Sequence, residues 1–249
     1  MSKLIAVVGG SILPQLSDLK VLEEIWPETP FGKTSSPILH GTYHGNQVIF
    51  LNRHGVERAT PPHLINYRAN MWALKALNVT FVIGLSVVGG IRSDMTTGHF
   101  VFPDQLIDYT HDRPNTCYEE FELSQHIDFT YPYCNELRQY FIDAAQALHL
   151  DYTDDATYAV TQGPRFETMA EITRLERDGC DVVGMTAMPE ALLARELGMQ
   201  YASIAIVGSK AAGRTDGLRV SITEIREVVQ DSISSMQKLL QHVIAQITF

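Results

Sequence analysis

The chain is 249 residues long, 45% hydrophobic, with 29 acidic against 19 basic side chains and a formal charge of −10. That apolar content suits one large domain, and an acidic chain with no run of Lys or Arg lacks the positive field that grips nucleic acid or an anionic membrane. No stretch reaches the roughly 18 uninterrupted apolar residues of a membrane span, and the run over residues 4–8 is too short for a signal-peptide core. The three cysteines, Cys117, Cys134 and Cys180, are scattered and form no Cys-x-x-Cys pair. A reducing, cytoplasmic compartment and no structural zinc are the expectations.

In chain order, short β-rich runs alternate with helical periodicity, which predicts a single α/β domain with helices flanking a mixed, mostly parallel twisted sheet. Residues 4–8 predict a strand ending at Gly9-Gly10-Ser11. Segments 38–43 and 47–52 flank Gly45-Asn46, residues tolerant of positive φ, and read as a hairpin whose second strand delivers Arg53-His54-Gly55. After Pro61-Pro62, the spacing of Ile65, Ala69, Met71, Trp72, Leu74 and Leu77 predicts a helix over 64–77, then a buried strand over 79–85 before Gly89-Gly90. A strand over 100–107 leads into an aperiodic, aromatic stretch from Asp108 to about Tyr133, long enough to be functional or interfacial.

Further on, the pattern predicts a helix over 135–150, a strand over 156–161, a turn over 162–167 entering a helix that ends near Gly179, a strand over 181–185, a helix over 189–197 and a strand over 201–207. The last helix starts at Ser221, where Ser221-x-x-Glu224 is able to form a capping box. Ile222, Ile225, Val229, Ile233, Met236, Leu240 and Val243 then recur every three to four residues.

In open α/β sheets, ligands bind beyond the carboxyl ends of strands. Gly9-Gly10-Ser11 offers unshielded N–H groups and a hydroxyl suited to an anion; the alternative is glycines that serve only a tight turn. The absence of a Gly-x-Gly-x-x-Gly spacing argues against a dinucleotide fold. Arg53-His54 places a planar cation beside a titratable ring, matched to phosphate oxygens. In isolation the favoured reading of the pair is an Arg bound to one of the carboxylates and a His bonded to backbone. Ser86 and Thr186 put further small hydroxyls at strand exits, so the set suits a buried oxyanion.

Gly9-Gly10-Ser11, Thr29-Pro30-Phe31-Gly32, Arg53-His54-Gly55, Asn66-Tyr67-Arg68-Ala69-Asn70-x-Trp72-Ala73-Leu74, Gly163-Pro164-Arg165-Phe166-Glu167-Thr168 and Gly184-Met185-Thr186-x-Met188-Pro189-Glu190 together resemble the trimeric purine nucleoside phosphorylases, from about Lys3 to the last helix. Gln105-Leu106-Ile107-Asp108-Tyr109-Thr110, Thr161-Gln162-Gly163-Pro164-Arg165 and Ala211-Ala212-Gly213 are most similar to the methylthio-nucleoside branch, the bacterial S-methyl-5′-thioinosine phosphorylases above all. The resemblance implies attack of inorganic phosphate at C1′ of a purine nucleoside through an oxocarbenium-like state, giving free base and ribose 1-phosphate. It further implies that Ser11, Arg53, His54, Ser86 and Thr186 bind phosphate, that Arg53 supplies the charge, and that phosphate is a co-substrate with no cofactor or metal.

By the same resemblance, Phe166 stacks near the purine, Met185 and Ala211 line the substrate, and Glu167 faces N1. A carboxylate accepts from the N1–H of a 6-oxopurine but meets a lone pair on adenine, a mismatch of about 1–3 kcal/mol or more. The alternative for Glu167 is a helix-start carboxylate favoured by the dipole. Ser209 stands where adenine-using relatives carry Asp and oxopurine-using ones Asn. It is shorter and reaches N7 or O6 through a water, with Lys210 as a substitute donor to O6 or, alternatively, a solvated surface Lys.

Ile222 falls at the position lining the 5′ end, where branches acting on ordinary nucleosides carry His; an apolar side chain there accepts a methylthio group, worth about 1–2 kcal/mol. The alternative is that Ile222 simply joins the apolar stripe of the last helix. His126 matches a residue lent into a neighbour's 5′ pocket, which implies a homotrimer or a hexamer built from it.

The expected reaction is phosphorolysis of S-methyl-5′-thioinosine to hypoxanthine and 5-methylthioribose 1-phosphate, in purine salvage. General inosine/guanosine phosphorylase and methylthioadenosine phosphorylase are the alternatives within the class. A nucleoside-binding protein with impaired catalysis, suggested by Ser209, is the alternative outside it; an NAD-dependent oxidoreductase is disfavoured by the missing glycine fingerprint.

Overall fold

The computed structural model describes residues 3–10, 18–57, 59–120, 122–215 and 219–248; Ser11 and Arg58 lie outside them. The elements run β1 (Leu4–Gly9), β2 (Leu19–Ile25), β3 (Ile38–Tyr43), β4 (Asn46–Asn52), α1 (Tyr67–Ala76), β5 (Val79–Gly90), β6 (Phe100–Val101), β7 (Gln105–Asp108), α2 (Asn135–Ala147), β8 (Tyr152–Thr153), β9 (Thr157–Val160), α3 (Met169–Arg177), β10 (Val182–Gly184), α4 (Ala187–Glu196), β11 (Gln200–Lys210) and α5 (Ile222–Thr248). The strands form one sheet in the order β2-β3-β4-β1-β5-β10-β9-β7, with β11 on β5 and β6, and β6 on β8. Among the described residues, six of its ten pairings are parallel. The α/β class with a mixed, mostly parallel sheet flanked by helices is therefore the one the patterning predicts.

The alternation of side chains along a strand decides which layer each face meets. Ile5 and Val7 of β1, with Val48 and Phe50 of β4, pack beneath Leu137 and Phe141 of α2 and Met236, Leu240 and Val243 of α5. Ala6 and Val8, with Ile49 and Leu51, face Met71 and Leu74 of α1 and Ala191 and Leu193 of α4. A strand apolar on both faces is what a sheet covered by helices on both sides requires.

Several boundaries differ from the sequence expectations, each for a local reason. The hairpin turn sits at His44 and Gly45, which carry the positive φ values of 48° and 88°, one residue earlier than expected. The helix expected from Leu64 begins at Tyr67, because Pro62–Leu64 form a separate 3₁₀ turn and Asn66 caps the helix through its side chain, accepting from the Ala69 N–H at 3.2 Å. The strand expected over 100–107 is split into β6 and β7 around Pro103, which has no N–H to give to a ladder. β2 was not expected; its exposed residues Lys20, Val21, Leu22, Glu23 and Glu24 show no alternation.

β5 extends to Gly90, five residues beyond expectation, and this creates the cleft. It pairs with β1 only as far as Gly84 and with β10 only at Gly89 and Gly90, while β11 follows it along its length. Leu85, Ser86, Val87 and Val88 are thus left between two neighbours on the same edge, one ending and the other starting.

Candidate active site

All four of those residues line a cavity of about 360 Å³, within the range of small-molecule sites. Its inner end is built by the exits of β4 and β10 and, at Ser86, by β5 itself, which runs on to Gly90 rather than ending before Ser86 as expected. Arg53, the residue after β4, is buried and donates from Nε and Nη2 to both carboxylate oxygens of Glu190 (2.9 and 2.6 Å), from Nη2 to Val8 O (3.0 Å) and from Nη1 to Leu85 O (2.6 Å). Burial opposes its charge, but Glu190 more than offsets this and holds the guanidinium above its ordinary value. Four of its five N–H groups are engaged, and Glu190 also accepts from the Tyr201 hydroxyl at 2.9 Å. Arg53 therefore brings one remaining N–H to the cavity and a charge already matched by a carboxylate.

His54 Nδ1 lies 2.8 Å from Thr60 O. A carbonyl only accepts, so Nδ1 carries the proton and a neutral ring presents Nε2 as an acceptor. Burial lowers the imidazole pKa from its ordinary 6.5, with Arg53 adding to the effect and the Thr60 bond opposing it, which favours that neutral form. Gly10 gives the ring its room, since a Cβ there would sit 2.5 Å from His54 Cδ2. The commonplace reading of Arg53-His54, a carboxylate partner and a backbone bond, thus holds together with the functional one.

Ser86 and Tyr158 hold buried hydroxyls with no hydrogen-bond partner among the described residues. Burial raises the Tyr158 pKa, and the nearby Ser86 hydroxyl, Arg53 and Thr186 offset part of that rise. Gly184 admits the phenol, because a Cβ there would lie 2.1 Å from its oxygen. Thr186 is the N-cap residue of α4, yet its side chain caps nothing. Unsatisfied buried hydroxyls are costly; a cluster of them beside an Arg is suited to an oxyanion.

The outer end carries the groups expected to meet a nucleoside. Glu167 lines the cavity, and its Oε1 accepts from Thr161 Oγ1 at 2.6 Å, leaving Oε2 for a ligand. Ser209 follows a β-bulge: the β11 register on β5 slips between Val207 and Ser209, a device that re-aims side chains. Gly208 is required there, as a Cβ would meet Val87 Cγ1 at 2.6 Å. Lys210 spends two of its three donors on Ser93 O (2.6 Å) and Arg92 O (3.3 Å), so it is not simply solvated and keeps one N–H. Ile222 is 57% exposed and lines the cavity, whereas Val229, Met236, Leu240 and Val243 carry the buried stripe of α5. The expectation that Ile222 belongs to that stripe is corrected.

Of the residues singled out from sequence, Arg53, His54, Ser86, Phe166, Glu167, Met185, Thr186, Ser209, Lys210, Ala211 and Ile222 line this one cavity. Ser11 falls outside the described residues. His126 is exposed, with Nδ1 3.1 Å from Leu123 O, and does not line the cavity of its own chain. The sequence reading missed Glu190, Tyr158 and Thr161. Glu190 was quoted as part of a motif, but nothing in its spacing shows a partner 137 positions away. Among the described residues no three His, Cys, Asp or Glu side chains cluster as a metal site would require, and no helix is long and apolar enough to cross a membrane.

Residues 4–245 match the model of the phosphorylase superfamily. The chain is 44% identical over 241 residues to a protein of Pseudomonas syringae pv. tomato named probable S-methyl-5′-thioinosine phosphorylase, covering 96% of this chain and 98% of that one. It is 44% identical over 242 residues to 6-oxopurine nucleoside phosphorylase of Pyrococcus furiosus, covering 95% and 90%. Among solved structures, a variant of adenosine/methylthioadenosine phosphorylase from Schistosoma mansoni in complex with methylthioadenosine superposes with a TM-score of 0.92 at 30% identity, covering 99% of this chain and 92% of that one. The chain belongs to the phosphorylase superfamily, as a pentosyltransferase of the purine nucleoside phosphorylase type.

Proposed function

We propose that this enzyme cleaves 6-oxopurine nucleosides with inorganic phosphate, and that its preferred substrate is S-methyl-5′-thioinosine, giving hypoxanthine and 5-methylthioribose 1-phosphate for purine salvage. The observation that carries the reading is the pairing, in one cavity, of a donor-rich buried end with an outer end bearing Glu167 and Ile222. Phosphate occupies the inner end. It accepts from Ser86, Thr186 and the remaining Arg53 N–H, with Ser11 expected to join them, and donates its own O–H to His54 Nε2. Held there, one phosphate oxygen is aimed at C1′ as the bond to the purine breaks, so positioning supplies much of the rate. Glu167 holds the base by accepting from N1–H, and charge arriving on the purine is met by the Ser209 hydroxyl donating near N7, the departing base taking up through solvent the proton that the phosphate loses.

Glu167 supports a 6-oxopurine, since its free oxygen only accepts. Ile222 supports a methylthio group, which buries well against an apolar side chain that itself offers a 5′-hydroxyl no hydrogen bond. The names of the Pseudomonas and Pyrococcus relatives are consistent with the base assignment, and only the former with the 5′ assignment. His126 would reach a neighbouring subunit's 5′ pocket, so the proposed working form is a homotrimer or a hexamer built from two trimers.

The test is chromatography of free base after mixing the enzyme with methylthioinosine, methylthioadenosine or inosine, each with and without phosphate. Phosphate-dependent hypoxanthine release, fastest from methylthioinosine, is expected. Faster turnover of methylthioadenosine would contradict the Glu167 argument. Equal turnover of inosine would remove the 5′ preference, and hypoxanthine binding without turnover would favour an impaired, binding-only protein.

A further inference from the structure

Arg113 lies in the long segment between β7 and α2, and it is 8% exposed with no carboxylate partner among the described residues. Its Nη2 donates to the carbonyls of Thr161 and Gln162 at 3.2 and 2.7 Å, and its Nη1 to those of Met185 and Met188 at 2.8 and 2.6 Å. Nε donates to Gln162 Oε1 at 3.1 Å, Nη1 also reaches the Tyr67 hydroxyl at 3.3 Å, and the guanidinium carbon sits 5.6 Å from the Tyr67 ring centroid. Burial without a counter-ion is unfavourable for a cation and lowers its pKa. Such a group persists where its hydrogen bonds outweigh that cost.

The two segments it joins each carry part of the cavity lining, Phe166 and Glu167 on one and Met185 and Thr186 on the other. Thr161 and Gln162 leave β9 and lead into Phe166 and Glu167; Met185 and Met188 leave β10 and bracket Thr186. Carbonyls past the ends of strands have no ladder partner, and a planar fork of five donors is able to serve carbonyls on both segments at once. The second buried arginine, Arg53, ends instead on a carboxylate. Among the described residues Arg113 has no ion pair within 4 Å, and it acts through four backbone carbonyls together with Gln162 Oε1 and the Tyr67 side chain.

We propose that Arg113 is a positioning residue that fixes the distance between the Glu167 wall and the Met185–Thr186 wall, so that base and phosphate contacts fall on one substrate together. The proposal rests on the phosphorylase reading. Arg113→Lys tests it: the charge and stem remain, but one ammonium is unable to span both segments. With wild-type kinetics as the reference, kcat and kcat/KM are expected to fall together by about 10²-fold, the effect of a misplacement near 1 Å, at a temperature where circular dichroism shows the variant folded. Arg113→Ala with added guanidinium ion should regain part of its turnover, and ethylammonium should restore none.

Amide hydrogen exchange supplies the second readout. In Arg113→Lys, exchange should quicken in residues 161–167 and 185–188 together while β1 keeps its protection. Wild-type kcat in folded Arg113→Lys, or exchange that quickens in one segment only, would overturn the proposal. If the unsubstituted enzyme releases no base from any nucleoside, the functional reading fails, and the exchange result still decides the role of Arg113.

Discussion

At the inner end of the cavity Arg53, Ser86 and Thr186 are at most 8% exposed, whereas at its mouth Phe166 and Ile222 are 42% and 57% exposed. Of the inner groups, Arg53 and Thr186 follow strand ends and Ser86 lies within β5, on backbone fixed by ladders and by the Arg53–Glu190 pair. The outer ones sit on a turn and on the first residue of α5. Substitution inside therefore carries a folding cost as well as a functional one, while substitution at the mouth changes contacts with the ligand and little else. The step common to all substrates is assigned to the rigid end, and the choice among substrates to the open end.

Breaking the inner end should have the largest effect. Arg53→Ala removes an anion donor and strands a buried carboxylate, so a loss of about 3–5 kcal/mol in stability is expected beside the loss of turnover. Denaturant melts with phosphate-dependent base release check both. Unchanged stability would mean that Glu190 is satisfied without Arg53. At the mouth, Glu167→Ala should lower kcat/KM for methylthioinosine by about 10²-fold, a magnitude typical of losing one preorganised hydrogen bond, with the melting curve in place. Steady-state kinetics that put the whole loss in the phosphate KM would assign Glu167 to the wrong end.

Ser86→Ala separates function from folding at the inner end itself. Its hydroxyl has no hydrogen-bond partner among the described residues, so removing it should leave stability unchanged or slightly higher. A lost bond to a charged ligand is worth about 1.5–3 kcal/mol, so the phosphate KM should rise by tenfold or more. An unaltered phosphate KM would detach Ser86 from the anion.

The smallest effect is one of pH. Burial holds the His54 imidazole below its ordinary 6.5, so as pH falls the unfolded chain takes up the proton first, and stability declines from that ordinary value down to the folded pKa. His54→Gln should flatten the acid limb of a plot of Tm against pH. His99, shifted the same way by burial, would preserve part of the slope. An unchanged limb would show that folding does not shift the His54 pKa.

Much of the site was legible because the chemistry sits where apolar runs stop. Arg53, Ser86, Thr186 and Glu167 all follow or punctuate a strand, and residue type at such places limits what it is able to bind. What sequence hides is the partner of a buried polar group. Glu190 reaches Arg53, and the Arg113 fork finds four carbonyls, only through the sheet order, so neither was identified from spacing. The same holds for the fold: periodicity located the strands buried on both faces, but β2 and the last five residues of β5 owe their existence to neighbours rather than to their own pattern.

The most direct test of the division between a chemical interior and a selective mouth is Ile222→His. Kinetics on methylthioinosine and inosine, each at varied phosphate, should show the ratio of their kcat/KM values moving toward inosine by about tenfold, as a change of about 1.4 kcal/mol requires, with the phosphate KM unmoved. A fixed ratio, or a shift carried by the phosphate KM, would contradict the account.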